Sequence, residues 1–226
     1  MWSELFGSIQ TGKPAFDRVH GQDFFSYLAQ HGEPSSIFDR FMTETPTERH
    51  AAIAEAYDFG EGATVVDVGG GRGATLAAVL LRHRSVHGVL CDRVSTRSAG
   101  GTLLDEPELA GRYTVVAGDF FETVPGSGDY YILSSILHDW SDADALAILR
   151  NCRRAMPPGA KLLVVERIID PSAEKSSTRL SDLFMLALLG GRERTAAEFT
   201  GLLGEAGFAV TDVLPTVSSF SIVESS

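Results

Sequence analysis

Asp67-Val68-Gly69-Gly70-Gly71-Arg72-Gly73 closes an apolar run and opens a stretch whose apolar residues have helical spacing. Glycine allows the backbone to turn sharply, and it leaves no Cβ in the way of a ligand that approaches the chain. We therefore predict a tight turn between a buried strand and a helix, where parallel sheets hold nucleotide-containing ligands. A tight turn that holds no ligand is the alternative explanation of these glycines.

From residue 63 onward, short β-rich runs alternate with longer helical runs. This alternation is typical of a parallel sheet with helices on both faces. A capping box at Thr195-x-x-Glu198 begins a further helix, which Gly207 ends. We predict strands near 63–68, 86–91, 113–117, 129–134 and 160–166, helices near 73–83, 95–105 and 142–156, and a hairpin at the sheet edge near 208–214 and 218–223.

Residues 2–59 carry apolar groups at helical spacing, and glycines and prolines interrupt them. This pattern predicts a helical lead-in to the sheet. We divide the chain into a lead-in or lid at 1–60 and a ligand-binding catalytic domain at 61–226. A chain of 226 residues is long enough for one large core.

The composition excludes several partners. The formal charge is −11, and the 19 basic residues form no cluster beyond pairs such as Arg153-Arg154, so we expect no nucleic acid. The most apolar stretch, 183–189, is far shorter than the ~20 residues of a membrane span, so we expect no membrane association. Cys91 and Cys152 lack metal-ligand spacing and we recognise no signal peptide, which together predict a cytoplasmic protein without a metal.

Three acidic residues follow three successive predicted strands. Gly69-x-Gly71-x-x-Ala74 with Asp92 also satisfies the dinucleotide fingerprint, so an NAD-dependent oxidoreductase stays open. However, a carboxylate at Asp67 would repel a pyrophosphate and can bind an ammonium group. Asp92 suits the ribose hydroxyls of either cofactor, and Asp119 beside Phe120 suits the amino group and ring of an adenine. The set favours S-adenosylmethionine, although a turn acid and a core phenylalanine explain Asp119 and Phe120 equally well.

His138 is a candidate general base. It follows an apolar strand, so we expect it at the carboxyl end of a parallel sheet, where such folds place ligands. A base works best when a second group orients it and stabilises its protonated form, and Glu166 and Glu193 are available carboxylates. A solvated charge cluster is the alternative for Glu193. Trp140 either forms a wall of the cofactor site or anchors the following helix.

Six motifs resemble those of a known family in sequence and in order. They are Val66-Asp67-Val68-Gly69-Gly70-Gly71-Arg72-Gly73, Cys91-Asp92, Gly118-Asp119-Phe120-Phe121, His138-Asp139-Trp140-Ser141-Asp142, Val165-Glu166-Arg167 and Gly190-Gly191-Arg192-Glu193-Arg194-Thr195. The chain resembles the small-molecule O-methyltransferases of the plant caffeate and chalcone type and their bacterial polyketide-tailoring relatives. The likeness covers nearly the whole chain, and it implies a Rossmann-like, doubly wound, mostly parallel seven-stranded α/β sheet with a reversed C-terminal hairpin.

The resemblance also implies roles for single residues. The family's histidine, matched by His138, deprotonates the acceptor hydroxyl, and two glutamates, matched by Glu166 and Glu193, flank its ring. Asp139 matches a position that can hydrogen-bond the acceptor. Two further sets follow from the resemblance: methionines of the acceptor pocket at Met42 and Met185, where core packing is an equal alternative, and cofactor contacts at Asp67, Gly69, Gly71, Asp92, Asp119, Phe120, Ser134 and Trp140.

We therefore predict an S-adenosylmethionine-dependent O-methyltransferase that acts on an aromatic or polyketide-like small molecule with a hydroxyl group. One alternative keeps the cofactor but supports decarboxylation or hydroxylation, as in some polyketide-tailoring relatives. Another is a non-catalytic or partner-requiring cofactor-binding subunit. Members of this family carry an N-terminal dimerisation domain that we do not find here, so we expect a homodimer or a second chain that supplies this domain.

Overall fold

The computed structural model describes residues 2–44, 47–93, 102–173 and 176–226. Its strands are β1 (Thr64–Val68), β2 (His87–Asp92), β3 (Tyr113–Ala117), β4 (Tyr130–Ser134), β5 (Lys161–Glu166), β6 (Ile168–Ile169), β7 (Arg194–Thr195), β8 (Val210–Pro215) and β9 (Ser221–Ser225). The main sheet has seven strands in the order β3-β2-β1-β4-β5-β9-β8. β1 to β5 pair in parallel, and β9 pairs antiparallel with β5 and β8. The predicted mostly parallel sheet with a C-terminal hairpin is confirmed.

The helices flank this sheet and form the lead-in. They are α1 (Leu5–Thr11), α2 (Ala15–His20), α3 (Phe24–Gln30), α4 (Gly32–Glu44), α5 (Thr47–Ala56), α6 (Ala74–Arg82), α7 (Asp142–Ala155), α8 (Ser177–Leu188) and α9 (Ala196–Glu205). Short 3₁₀ turns occupy Trp2–Glu4, Pro107–Leu109 and Leu137–Asp139. Most of the helix predicted near 95–105 lies outside the described residues. None of the helices in the described segments has the length and apolarity that a membrane span requires.

Two clusters of buried side chains cover the two faces of the sheet. Successive strand residues point to opposite faces, so Val66 and Val65 belong to different clusters. The cluster around Val66 packs against α7 and α9, and the cluster around Val65 packs against α5 and α6. Ile53 of α5 is fully buried in the second cluster. This part of the lead-in thus packs on the sheet, and the division at residue 60 stays a prediction.

The hairpin lies a few residues beyond its predicted position. Thr216 and Ser218 lie in the turn between β8 and β9, where the Thr216 hydroxyl donates to the carbonyl of Phe220 at 2.8 Å and the two hydroxyls are 2.7 Å apart. Ser and Thr side chains of this kind replace ladder hydrogen bonds in turns. The second strand therefore begins at Ser221 instead of residue 218.

The apolar run before His138 ends as a strand at Ser134. Ser135 adopts the left-handed region with φ of 56°, and Leu137–Asp139 then forms the 3₁₀ turn. One oxygen of Glu166 accepts the backbone N–H groups of Ile136 at 3.0 Å and Leu137 at 2.9 Å. These hydrogen bonds replace the pairing that a longer strand would have made, and they fix the turn that carries His138.

We expect Gly70→Ala to cost about 1–3 kcal/mol of folding stability, because the added Cβ would overlap the buried carboxylate of Asp67 and the side chain of Leu90. The matched control is Gly201→Ala on α9, where a Cβ meets no neighbour. This change should stabilise the chain by about 0.5–1 kcal/mol. Urea unfolding measures both values, and a Gly70→Ala variant as stable as the wild type would contradict the close packing of the turn.

Candidate active site

A cavity of about 660 Å³ lies at the carboxyl ends of the parallel strands. Its lining includes all the residues that the sequence assigned to the cofactor, namely Asp67, Gly69, Gly71, Asp92, Asp119, Phe120, Ser134 and Trp140. It also includes Met42 of α4 and Asp139, two of the predicted acceptor contacts. Met185, His138, Glu166 and Glu193 are buried and do not belong to this lining. The structure therefore brings the two predicted groups of residues to adjoining places, with Asp139 in the wall of the cavity.

Asp67 is the buried acid at the end of β1. Its side chain is fully buried, and neither carboxylate oxygen has a hydrogen-bond partner of good geometry among the described residues. Burial and the nearby charge of Asp92 raise the pKa of Asp67 to about 7. A buried carboxylate without donors is costly, so this position suits a ligand that brings a cation.

The carboxylate of Asp92 holds the glycine turn in place. One oxygen accepts the backbone N–H of Gly71 at 2.7 Å, and the other accepts the N–H of Arg93 at 2.6 Å. Because β1 and β2 are neighbours, their carboxyl ends place Asp67 and Asp92 on the same edge of the sheet. This edge is where open α/β sheets bind ligands.

Aromatic rings form the opposite part of the lining. The rings of Phe120 and Trp140 lie 6.1 Å apart in an edge-to-face arrangement, and Phe25 of α3 stacks on Trp140 at 5.7 Å. Asp119 accepts the N–H of Phe121 at 2.8 Å, so its carboxylate stays at the start of this wall. A flat apolar wall with an acceptor at its edge suits a heteroaromatic ring.

His138 lies in a cluster of three carboxylates. Its Nδ1 is 3.3 Å from an oxygen of Glu193 and 3.4 Å from an oxygen of Glu166, and its Nε2 is 3.3 Å from an oxygen of Asp139. The residue is only 7% exposed. Because Asp139 lines the cavity and contacts Nε2, it is the link between the imidazole and the space where a ligand fits.

The carboxylates change the proton affinity of this ring. Burial alone lowers the pKa of His138, but the charges of Glu166, Asp139 and Glu193 outweigh it and raise the pKa to about 10. Burial raises the pKa of Asp139 to about 7 although the imidazole opposes this. Burial also raises the pKa of Glu193, but hydrogen bonding and charge from His138 bring it below its usual range. The cluster thus holds a strongly basic imidazole with an acid of intermediate pKa between it and the cavity.

The loop that carries Glu193 reaches this cluster through short structural elements. β7 pairs with β6 beyond the end of β5, and the sequence pattern did not reveal these two-residue strands. The hydroxyl of Ser181 donates to Glu193 at 2.6 Å, and Asp182 accepts the N–H of Glu193 at 2.9 Å. Glu193 is 1% exposed, so it is not part of a solvated charge cluster.

The sequence reasoning missed three basic residues. Arg194 is 1% exposed and donates to the carbonyls of Leu137 at 2.7 Å and Trp140 at 3.0 Å, so it fixes the loop on both sides of His138. Arg49 and His50 of α5 line the cavity and are also buried. The sequence indicates these two residues only by their position, since they are adjacent basic residues just before the apolar run of α5.

Comparisons with known proteins give one consistent family. The model of the O-methyltransferase domain matches residues 2–209. Phenazine O-methyltransferase PhzM of Lysobacter antibioticus is 43% identical over 223 residues, which cover 99% of this chain and 65% of the relative. Aclacinomycin 10-hydroxylase RdmB of Streptomyces purpurascens is 37% identical over 227 residues, with coverage of 97% and 61%. The chain therefore spans less than two thirds of the length of these curated relatives.

A solved structure is similar along the whole chain. The O-methyltransferase NcsB1 from neocarzinostatin biosynthesis, in complex with S-adenosylmethionine and 2-hydroxy-5-methyl naphthoic acid, is 37% identical and has a TM-score of 0.90. The match covers 100% of this chain and 67% of that chain.

We expect Arg194→Met to lower the free energy of unfolding by about 2–4 kcal/mol, because it leaves the carbonyls of Leu137 and Trp140 without their buried donor. Arg192→Met is the matched control, since Arg192 is half exposed and its pairs with Asp142 and Glu198 lie at the surface. It should cost at most about 1 kcal/mol. Chemical denaturation compares the two variants, and equal losses would show that Arg194 does not hold this loop.

Proposed function

The chain belongs to the O-methyltransferase domain family, and on this premise we propose that it transfers a methyl group from S-adenosylmethionine to a hydroxyl of an aromatic or polyketide-like small molecule. The observation that carries the proposal is the position of Asp139, which lines the cavity and contacts the Nε2 of His138. The imidazole of His138 thus adjoins, through Asp139, a cavity whose wall also holds Asp67 and Asp92. These two acids suit the ammonium group and the ribose of S-adenosylmethionine.

The residues of the cavity fit this cofactor. Neither carboxylate oxygen of Asp67 has a hydrogen-bond partner of good geometry among the described residues, so both can accept from an ammonium group. The glycine turn lets a ligand approach the backbone, since even an added Cβ at Gly71 would meet no neighbouring atom. We assign the ribose to Asp92, the adenine to Asp119 and Phe120 with Trp140 as a wall, and a further polar contact to Ser134. When bound, the sulfonium supplies an electrophilic methyl group, so the chain needs to supply only position and removal of a proton.

We assign the general base to His138. Glu193 and Glu166 face Nδ1, whereas Nε2 faces Asp139 in the cavity wall, so we assign Nε2 to the proton of the acceptor hydroxyl. The three carboxylates raise the pKa of the imidazole, which increases its affinity for the proton of an acceptor hydroxyl. The same basicity keeps the ring protonated near neutral pH in the absence of an acceptor.

We propose that the acceptor is a flat aromatic molecule with a hydroxyl group. The relative NcsB1 was solved with a hydroxylated naphthoic acid, which supports a flat hydroxylated aromatic acceptor for this chain as well. We assign Asp139 and Met42, which line the cavity, to contacts with this acceptor. Met185 is buried on α8, and its contact with the acceptor stays a prediction.

Large apolar side chains are exposed on the lead-in and on α8. Trp2, Phe6 and Ile9 of the lead-in are half or more exposed, and Leu180 of α8 is 63% exposed. The helices α1 and α8 contact each other, and exposed apolar side chains grouped on neighbouring helices support contact with another chain. We propose a homodimer, or a second chain that supplies further elements of the acceptor pocket.

Hydroxylation is the second candidate, since the relative RdmB is named as a hydroxylase. Calorimetry first tests the cofactor, and the proposal requires that S-adenosylhomocysteine binds and that NAD does not. Incubation with S-adenosylmethionine and a panel of hydroxylated naphthoic acids then tests the reaction. Mass spectrometry should find products that have gained a methyl group. Products that have gained an oxygen atom instead would contradict methyl transfer and support hydroxylation.

We expect His138→Gln to lower kcat about 10²- to 10⁴-fold, because glutamine keeps a polar side chain but takes up no proton at neutral pH. The dissociation constant of S-adenosylhomocysteine should stay within about twofold of the wild type, since the ring does not line the cavity. His87→Gln is the control, because His87 is exposed at the start of β2. Full turnover by His138→Gln would rule out its role as the base.

The pH dependence of kcat/KM tests the charge around this ring. Activity should rise with pH toward the pKa of His138, since only the neutral ring accepts a proton. Asp139 raises this pKa, so Asp139→Asn should move the rising limb to lower pH, by about one unit or more. Glu205→Gln changes an exposed acid at the end of α9 and should leave the profile unchanged. A limb that stays in place or moves to higher pH in Asp139→Asn would contradict the assignment.

A further inference from the structure

The two glutamates beside the imidazole are held in different ways. Glu166 accepts two backbone N–H groups of the turn that carries His138, so the backbone fixes its carboxylate. The Oε1 of Glu193 lies 3.3 Å from the Nδ1 of His138 and accepts the hydroxyl of Ser181 at 2.6 Å. Its Oε2 has no hydrogen-bond partner among the described residues. The orientation of the Glu193 carboxylate therefore depends on the hydroxyl of Ser181.

Arg167 fixes the direction in which this hydroxyl donates. It follows β5 directly, and its Nη1 donates to the Oγ of Ser181 at 3.4 Å. Arginine can only donate hydrogen bonds, so Ser181 accepts from it and has its single proton free for Glu193. The guanidinium is itself held from the other side, since its Nε donates to Ser219 at 3.4 Å and it lies 4.6 Å from the centre of the Phe220 ring.

Helix α8 holds the backbone of Glu193 as well as its side chain. Asp182, the neighbour of Ser181, accepts the N–H of Glu193 at 2.9 Å. A serine within a helix often donates to the carbonyl one turn back, whereas Ser181 donates to the segment before β7. Two consecutive residues of one helix thus fix both ends of the glutamate that contacts the imidazole.

The charge of Glu193 also differs from that of its neighbours. Burial raises the pKa of Glu193, but hydrogen bonds from the imidazole and Ser181, with the charge of Arg167, bring it below its ordinary value. Burial raises the pKa of Glu166 and of Asp139 above their ordinary values. Glu193 is thus the carboxylate of this cluster that is most firmly ionised. An ionised carboxylate only accepts hydrogen bonds, so the ring nitrogen that faces it carries a proton.

We propose that Ser181 is a positioning residue, which holds the carboxylate of Glu193 against the Nδ1 of His138. Arg167 supports it by directing its hydroxyl. The arrangement keeps a proton on Nδ1, so the neutral ring has its lone pair on Nε2, which faces Asp139 in the cavity wall. The value of this tautomer for proton removal rests on the proposed function, whereas the chain of hydrogen bonds does not.

NMR of protein with nitrogen-15 in its histidine rings tests the chain of hydrogen bonds without a cofactor or an acceptor. The Nδ1 proton of His138 should give a far-downfield signal that exchanges slowly with water, and His138→Gln identifies this signal. In Ser181→Ala the signal should exchange about 10-fold faster or more, because Glu193 has lost its donor. Ser181→Thr keeps a hydroxyl and should restore exchange to within about twofold of the wild type.

The matched control is Ser219→Ala, which removes an exposed hydroxyl on the other side of Arg167 and leaves Ser181 in place. Its signal should match that of the wild type. Unchanged exchange in Ser181→Ala, or an equal increase in Ser219→Ala, would overturn the proposal. Arg167→Met should also speed exchange, and an unchanged signal there would overturn the role of Arg167.

Circular dichroism checks that each variant is folded. If Ser181→Ala does not fold, Ser181→Cys decides, since a thiol is a weak donor of similar size. Faster exchange in this variant supports the proposal, and exchange at the wild-type rate overturns it.

Turnover then tests what the position of Glu193 does for the reaction. With a hydroxylated naphthoic acid that the wild type methylates, Ser181→Ala should lower kcat about 5- to 30-fold. The dissociation constant of S-adenosylhomocysteine should stay within about twofold, because Ser181 does not line the cavity. A wild-type kcat in Ser181→Ala would overturn its role in the reaction.

The outcomes separate this inference from the proposed function. If the wild type binds no S-adenosylhomocysteine and methylates no acceptor, the proposed function fails, and the NMR result still decides whether Ser181 holds Glu193 against the ring. If the wild type methylates an acceptor and Ser181→Ala keeps both its signal and its kcat, the proposed function survives and only the role of Ser181 is overturned.

Discussion

The buried carboxylate of Glu166 is the constraint on which the site depends. It is fully buried at the end of β5, and one oxygen accepts the N–H groups of Ile136 and Leu137. Its other oxygen faces the Nδ1 of His138 at 3.4 Å. One side chain thus fixes both the backbone turn that carries His138 and the electrostatic environment of its ring. Removal of this carboxylate would leave two buried donors unsatisfied and a buried imidazolium with one fewer countercharge.

The parallel sheet explains why these groups meet the cavity. Carboxyl ends of adjacent strands lie on one edge, so Asp67 of β1, Asp92 of β2 and the turn after β4 converge there although they are far apart in sequence. Arg194 then ties the loop after β4 to β7 through the carbonyls of Leu137 and Trp140. Acidic, basic and aromatic side chains therefore surround one cavity. Such a lining suits a ligand with both charged and apolar parts.

Residues whose role follows from strand ends could be predicted from the sequence. Asp67 and His138 fall into this class, because the apolar run before each one marks the strand that places it. The sequence does not predict the role of a residue when that role depends on contacts with distant parts of the chain. Ser135 has a left-handed φ that no neighbouring residue type reveals, and Arg194 finds its partners more than 50 residues away in the chain. Glu193 was ambiguous for the same reason, since only the fold brings it to 3.3 Å from the imidazole.

The protonation state of His138 tests most directly whether the carboxylates create a strong base at the cavity. Nitrogen-15 NMR of ring-labelled protein follows the imidazole through a pH titration, with His138→Gln identifying its signal. The account predicts a ring that stays protonated well above pH 8, since its pKa is raised to about 10. A ring that becomes neutral at the ordinary histidine pKa of about 6.5 would contradict it.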